Sequence, residues 1–160
     1  MVPAHGSAPD GVAVRRATAA ELSAVIALLL AQLREHGSTL AEDEIAAAAT
    51  ALFEQPERGR FLVAVDGGAV IGMAALTSVW SLERGGVAVW LDELYVRPER
   101  RGRGIGQALL ELSLASAREM GARAVELEVD REHARAENLY RRAGFETQWK
   151  YCYWQRQQWP

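Results

Sequence analysis

Cysteine is almost absent. Of 160 residues only Cys152 carries a thiol, and the histidines at 5, 36 and 133 are scattered. One thiol closes no internal disulfide, and this set spells no structural zinc site, so no metal is expected. Long apolar runs are missing too. The longest, Leu22 to Leu33, is interrupted by Ser23 and Gln32 and falls short of the about 20 residues that cross a bilayer. Met1 to Gly11 is small and polar, with Pro3 and Pro9, and lacks the apolar stretch of an export signal. The expectation is a cytoplasmic chain with no membrane attachment. Charge of one sign is also lacking: 18 Lys plus Arg stand against 21 Asp plus Glu, for a net charge of −3. That balance argues against general binding to nucleic acid, so any affinity for phosphate must be local.

What remains is a folding composition, 49% hydrophobic and 24% charged, at a length that suits one domain with its own core. Residues 1–10 read as a disordered lead-in and 11–160 as a single domain. Val12 to Arg16 is a strand candidate. Thr18-x-x-Glu21 is a capping box that opens a helix, with Leu22, Val25, Ile26, Leu29 and Leu33 on one face. His36-Gly37 ends it, and Ala41 to Glu54 reads as a second helix. Three strands follow, at Arg60–Val65, Ala69–Val79 and Val87–Val96, separated by turn signals at Asp66-Gly67-Gly68 and Gly85-Gly86. Gly104 to Met120 is a helix stopped by Gly121. Ala124 to Val129 is a strand. The crossover before it makes it parallel to its predecessor. His133 to Ala143 is a short helix ended by Gly144, and Phe145 to Trp154 is an aromatic-rich last strand. The order predicts an α+β fold of three layers: a mixed, mostly antiparallel sheet with one parallel pair and helices on both faces.

The most informative stretch is Leu91 to Leu110. A strand enters a loop with glycines at 102, 104 and 106, and the loop enters a helix directly. Glycine lets backbone approach a ligand, and free N–H groups at a helix start favour an anion. Arg97, Arg100, Arg101 and Arg103 add four positive charges, and in an acidic chain that concentration suggests a pyrophosphate. The nucleoside-triphosphate loop is excluded because Gly-Lys-Ser/Thr is missing. The dinucleotide fingerprint fails because position 109 is leucine, and the antiparallel meander contradicts its parallel sheet.

Arg101-Gly-Arg-Gly-Ile-Gly106 resembles the Arg/Gln-x-x-Gly-x-Gly/Ala signature of the GCN5-related N-acetyltransferases (GNAT), and Leu139-Tyr-Arg-Arg-Ala-Gly-Phe145 resembles that family's Leu-Tyr-x-x-x-Gly-Phe segment. The element order is similar from Val12 to Trp154. Trp90 to Val96 is loosely similar to the diamine acetyltransferase branch. The resemblance implies acetyl-CoA as co-substrate, its pyrophosphate on the backbone amides of Arg101, Gly102, Arg103, Gly104, Ile105, Gly106 and Gln107. It implies the pantetheine arm along Leu94, Tyr95 and Val96, where the amide of Leu94 or a neighbour polarises the thioester carbonyl. The strands around Val96 and Val129 would splay to admit that arm.

It further implies an amine acceptor. Tyr140 is the expected acid for the leaving thiolate. Asp92 and Glu93 are candidates for the base, through a water, or for attracting a cationic amine. As neighbours on a strand they should point to opposite faces, so that one of them faces the cleft. Glu83, Glu126, Glu128 and Asp130 flank the same region. His133 stands where the family often has a pantetheine-contacting asparagine. Its contact with coenzyme and a surface role stay open, and His5 and His36 read as incidental. Cys152 reads as a structural thiol. Trp149, Tyr151, Tyr153 and Trp154 read equally as sheet packing or as the face of a homodimer. The expected activity is acetyl transfer to a primary amine of a small molecule. The alternatives are a peptide acceptor, a longer acyl chain, or a non-catalytic CoA-binding sensor.

Overall fold

The alternating apolar pattern in the middle of the chain becomes a five-stranded sheet. The computed structural model describes residues 8–129 and 134–148. Two compact units divide the chain, residues 1–128 and 129–160. The first holds β1 (Val12–Arg16), α1 (Leu22–Glu35), α2 (Glu42–Phe53), β2 (Gly59–Asp66), β3 (Ala69–Ser81), β4 (Gly86–Val96), α3 (Ile105–Glu119) and β5 (Ala124–Glu126); short 3-10 turns precede α1 and follow β4. The second holds α4 (Ala134–Arg142).

The strands lie in the order β1-β2-β3-β4-β5. The first three pairings are antiparallel and β4–β5 is parallel, as the crossover length predicts. Gly67 and Gly68, both at positive φ, make the two-residue β2–β3 turn, which side chains with a Cβ adopt only at a cost. Period-two alternation divides the core. Phe61, Val63, Met73, Ala75 and Tyr95 pack with Val25 and Leu28 of α1 and Ala49 of α2. On the other face Gly72 lies against Leu109 of α3. Helices therefore cover both faces.

Helix ends follow their sequence signals. The Glu21 carboxylate accepts the Thr18 N–H at 2.8 Å. Gly121 (φ +77) closes α3, with its N–H on the Arg118 carbonyl and that of Ala122 on the Ala117 carbonyl. Two expectations shift. β5 stops at Glu126 instead of Val129. Residues 145–148 form no strand, and the rest of the expected last strand, with Trp149, Tyr151, Cys152, Tyr153 and Trp154, lies outside the described residues. So do His5, Asp130 and His133. No helix among the described residues is long and apolar enough to cross a membrane.

Candidate active site

β4 carries the candidate residues, and its pairing makes it unusual. On one side it pairs with β3 along its whole length, from Gly86 opposite Ser81 to Val96 opposite Gly72. On the other side, β5 pairs only with Ala88, Val89 and Trp90. From Leu91 to Val96 that outer edge has no strand beside it among the described residues. This is the opening expected between the parallel strands. An unpaired edge offers N–H and C=O groups to an extended ligand, as a further strand would use them.

The edge opens at a β-bulge. Leu91 pairs with Leu76 and Glu93 with Ala75, so Asp92 is an extra residue with no opposite number on β3. Directly paired residues share a face. Leu91 thus shares the α3 face with Leu76, while Glu93 shares the α1/α2 face with Ala75. The bulge suspends the strict alternation on which the expectation of opposite faces for Asp92 and Glu93 rested. A bulge has no reliable local sequence signal, which is why parity alone left the pair undecided.

Their electrostatics follow from this placement. Burial pushes the Glu93 carboxyl up to about 7, and the neighbouring Asp92 charge adds to the shift. Burial also raises Asp92, and the Glu128 carboxylate adds to that. The Asp92 carboxylate thus feels Glu128 and is itself felt by Glu93. The flanking acids divide: Glu126 is held by Arg84, whose Nη2 donates to it at 2.6 Å. Arg84 also feels the charge of Glu83.

After Val96 the chain turns through a 3-10 turn at Pro98–Arg100 and enters α3 at Ile105. Gly102 and Gly104 both adopt φ near +80° (+77° and +82°), and Gly104 is the N-cap of α3. The first intrahelical bond runs from the Ala108 N–H to the Gly104 carbonyl. Among the described residues, the amides from Gly102 to Gln107 find no acceptor. They form a contiguous row of donors at the positive end of a helix dipole, directly after the open edge.

The arginines differ from the expectation. Arg97 donates from Nε to the Val70 carbonyl at 3.2 Å, and Arg100 bridges Asp66 at 2.6 Å. Arg101 donates to the Val96 carbonyl and to Glu35. Three of the four arginines thus brace the loop from within. Their partners lie on other elements, up to 66 residues away in sequence, so no local pattern could reveal them. Of the four, Arg103 alone has neither hydrogen bond nor ion pair among the described residues.

Tyr95 and Val96 are buried, so what they offer at the edge is backbone. A hollow of about 220 Å³ between Arg16, Phe53, Arg60 and Phe61 lies at the end of β2 opposite the Asp66–Arg100 bridge. It takes no part in this arrangement. Among the described residues no cluster of His, Cys, Asp or Glu could hold a metal ion.

Tyr140 belongs to the second unit. Its ring meets that of Phe145 edge-on at 5.8 Å. Its carbonyl accepts from the Phe145 N–H at 3.1 Å, and Gly144 (φ +91) donates to the Arg141 carbonyl. These bonds are a Schellman cap, with the hydrophobic contact that accompanies it. The Leu-Tyr-x-x-x-Gly-Phe segment is therefore a helix stop, whatever else the tyrosine hydroxyl does.

Residues 22–145 match the family model described as Acetyltransferase (GNAT) family. Over 97 residues the chain is 39% identical to an uncharacterised N-acetyltransferase of Methanocaldococcus jannaschii; the match takes in 59% of this chain and 42% of that protein. The chain thus spans less than half the length of that relative. Among solved structures, it superposes with a TM-score of 0.79 and 30% identity on an integron cassette protein from the mobile metagenome of Cole Harbour Salt Marsh, covering 92% of this chain and 91% of the other. An aminoglycoside N-acetyltransferase in complex with CoA superposes with a TM-score of 0.77, covering 91% of this chain and 94% of that one. At 19% identity that likeness is one of fold.

Proposed function

The chain belongs to the GNAT acetyltransferase family, and from that membership we propose that it transfers an acetyl group from acetyl-CoA to a primary amine of a small, cationic molecule. The transfer is direct, with donor and acceptor bound together. The observation that carries the reading is the continuity of the open β4 edge with the row of amides from Gly102 to Gln107 that find no acceptor among the described residues. A pantetheine arm has amides that suit a strand edge. A pyrophosphate suits the helix start, with Arg103, which has no partner among the described residues, as a cation beside it.

The co-substrate supplies an activated thioester, and the chain supplies binding, polarisation and proton transfer. The amides near Leu94 polarise the thioester carbonyl. An alkyl ammonium, with a pKa of about 10, must lose a proton before its nitrogen can attack. Glu93, held up to about 7, is deprotonated often enough near neutral pH to accept that proton, and basic enough to do so usefully. Asp92 and Glu128 keep the region negative and favour a cationic acceptor. As the carbon–nitrogen bond forms, the carbon–sulfur bond breaks. The sulfur takes a proton from the Tyr140 hydroxyl, which is the proposed acid. The proton that the nitrogen must still lose to become an amide passes to solvent water, from which the tyrosinate is reprotonated.

Thiol release from acetyl-CoA across polyamines, aminoglycosides, amino acids and short peptides tests the reading, with an amine-free control. Saturable release with a cationic small-molecule amine is the expected result. Release with peptides alone would replace the small-molecule acceptor. Binding of CoA without release would replace the enzyme with a sensor.

A further inference from the structure

Arg101 opens the glycine loop, yet its side chain turns back into the fold. Nε donates to the Val96 carbonyl at 2.8 Å, and Nη2 donates to the two carboxylate oxygens of Glu35 at 3.1 and 3.3 Å. The guanidinium carbon stands 5.1 Å from the centre of the Tyr95 ring, within cation–π range. The Tyr95 hydroxyl in turn donates to Glu35 at 2.6 Å. One carboxylate thus ties the end of β4 to the start of the loop.

Glu35 is the last residue of α1. A negative charge there opposes the helix dipole, so helix formation does not favour it. The Tyr95 hydroxyl and then Arg101 hold its carboxyl below the usual glutamate range, so the ionised form is kept in place by these two partners. Beyond Arg101, glycines at 102 and 104 have more backbone conformations open to them in the unrestrained chain than other residues would, and any ordering left to the moment of binding would weaken affinity.

We propose that Glu35 is a positioning residue for coenzyme binding: it locks Arg101 onto Tyr95 and so aims the amides of Gly102 to Gln107 before any ligand arrives. This rests on the reading of the loop as the pyrophosphate site. The opposite arrangement gives the opposite sign. If Arg101 were a phosphate ligand held in reserve by Glu35, removing the Glu35 charge would free a cation and tighten binding.

The experiment is calorimetric titration of the full chain with CoA, for wild type, Glu35→Gln, Arg101→Gln and the double variant. NMR of the Arg101 Nε–Hε group accompanies it. Wild type binds. Each single variant binds about tenfold more weakly, the double variant little worse than either, because both break one clamp. In Glu35→Gln the KM for acetyl-CoA follows the affinity, while kcat at saturation changes less than about twofold. The Arg101 Hε signal, slow to exchange in the ligand-free wild type, exchanges fast in Glu35→Gln. Arg101→Lys keeps a charge but loses the fork, and serves as a second variant with the same expected loss. Wild-type binding with unchanged or tighter binding by Glu35→Gln overturns the positioning role alone, as do additive losses. A wild type that binds no CoA overturns the reading of the loop, and the positioning role with it.

Discussion

Tyr140 and Phe145 close α4 together: their rings meet at 66° and 5.8 Å, and the Phe145 N–H donates to the Tyr140 carbonyl. The ring has a structural task that is separable from any task of its hydroxyl. Phenylalanine keeps the first and removes the second.

Tyr140→Phe therefore isolates the proposed acid. The expected result is a melting temperature close to wild type, an acetyl-CoA KM within about twofold, and a kcat lower by about 10²-fold, the range for loss of a proton donor. Tyr140→Ala should lose the cap as well and melt lower. An unchanged kcat in Tyr140→Phe assigns the acid elsewhere.

Two glycines should fail for different reasons. A Cβ on Gly59 would sit 2.1 Å from the Leu76 carbonyl oxygen, so backbone itself must move. Gly59→Ala should destabilise by about 3 kcal/mol or more, read by urea melts. At Gly104 a Cβ meets, among the described residues, only Pro9, at 4.0 Å, so the cost is the left-handed backbone (φ +82°). Gly104→Ala should cost about 1–2 kcal/mol of stability and weaken CoA binding by re-aiming the amides.

These glycines show what was legible in the sequence. Turn and cap positions could be read locally: Gly67-Gly68, Gly121 and Gly144 stand where the chain must reverse or stop, because the φ they need is local physics. The parallel pair followed from the length of the crossover. The bulge at Asp92 could not be read, since it depends on how β4 registers against β3. Nor could the fate of the arginines, because Asp66, Val70 and Glu35 reach them through the tertiary fold. Counting four positive charges in the sequence could not show that three of them are engaged within the fold.

Glu21 should govern acid stability at the entry to α1. Arg15 donates to it at 2.6 and 2.8 Å, and with the Thr18 N–H this lowers its carboxyl to about 2. The folded value lies below the unfolded one of about 4.3, so the stabilisation is present above that pH and is lost as pH falls towards 2. Glu21→Gln should melt about 2–4 °C lower than wild type at pH 7. The two curves should converge near pH 2. A gap that persists unchanged at pH 2 would place its origin outside the ionised carboxylate.

Glu93 should show the opposite sign, and there stability and activity separate. Its folded value of about 7 lies above the unfolded one, so its contribution to stability is full below about pH 4.3 and declines as pH rises through 7. Above that range the fold carries a half-buried charge beside a second carboxylate. Glu93→Gln removes the charge and keeps the shape. The variant should gain stability relative to wild type between about pH 4.3 and 8, seen as a smaller pH dependence of the melting temperature. Activity should move the other way. Wild-type kcat/KM should rise with pH along a limb near 7, a limb that belongs to the Asp92–Glu93 pair since the two titrate together. In Glu93→Gln the limb should vanish and the rate fall about a hundredfold. A variant that is more stable and as active as wild type would leave Glu93 a source of strain only, and the proton would then have to leave the amine through Asp92. A variant that is more stable and inactive shows why the bulge is tolerated. It holds a carboxylate where the fold is weakened by it, because a carboxylate exposed to water would be too weak a base for the amine.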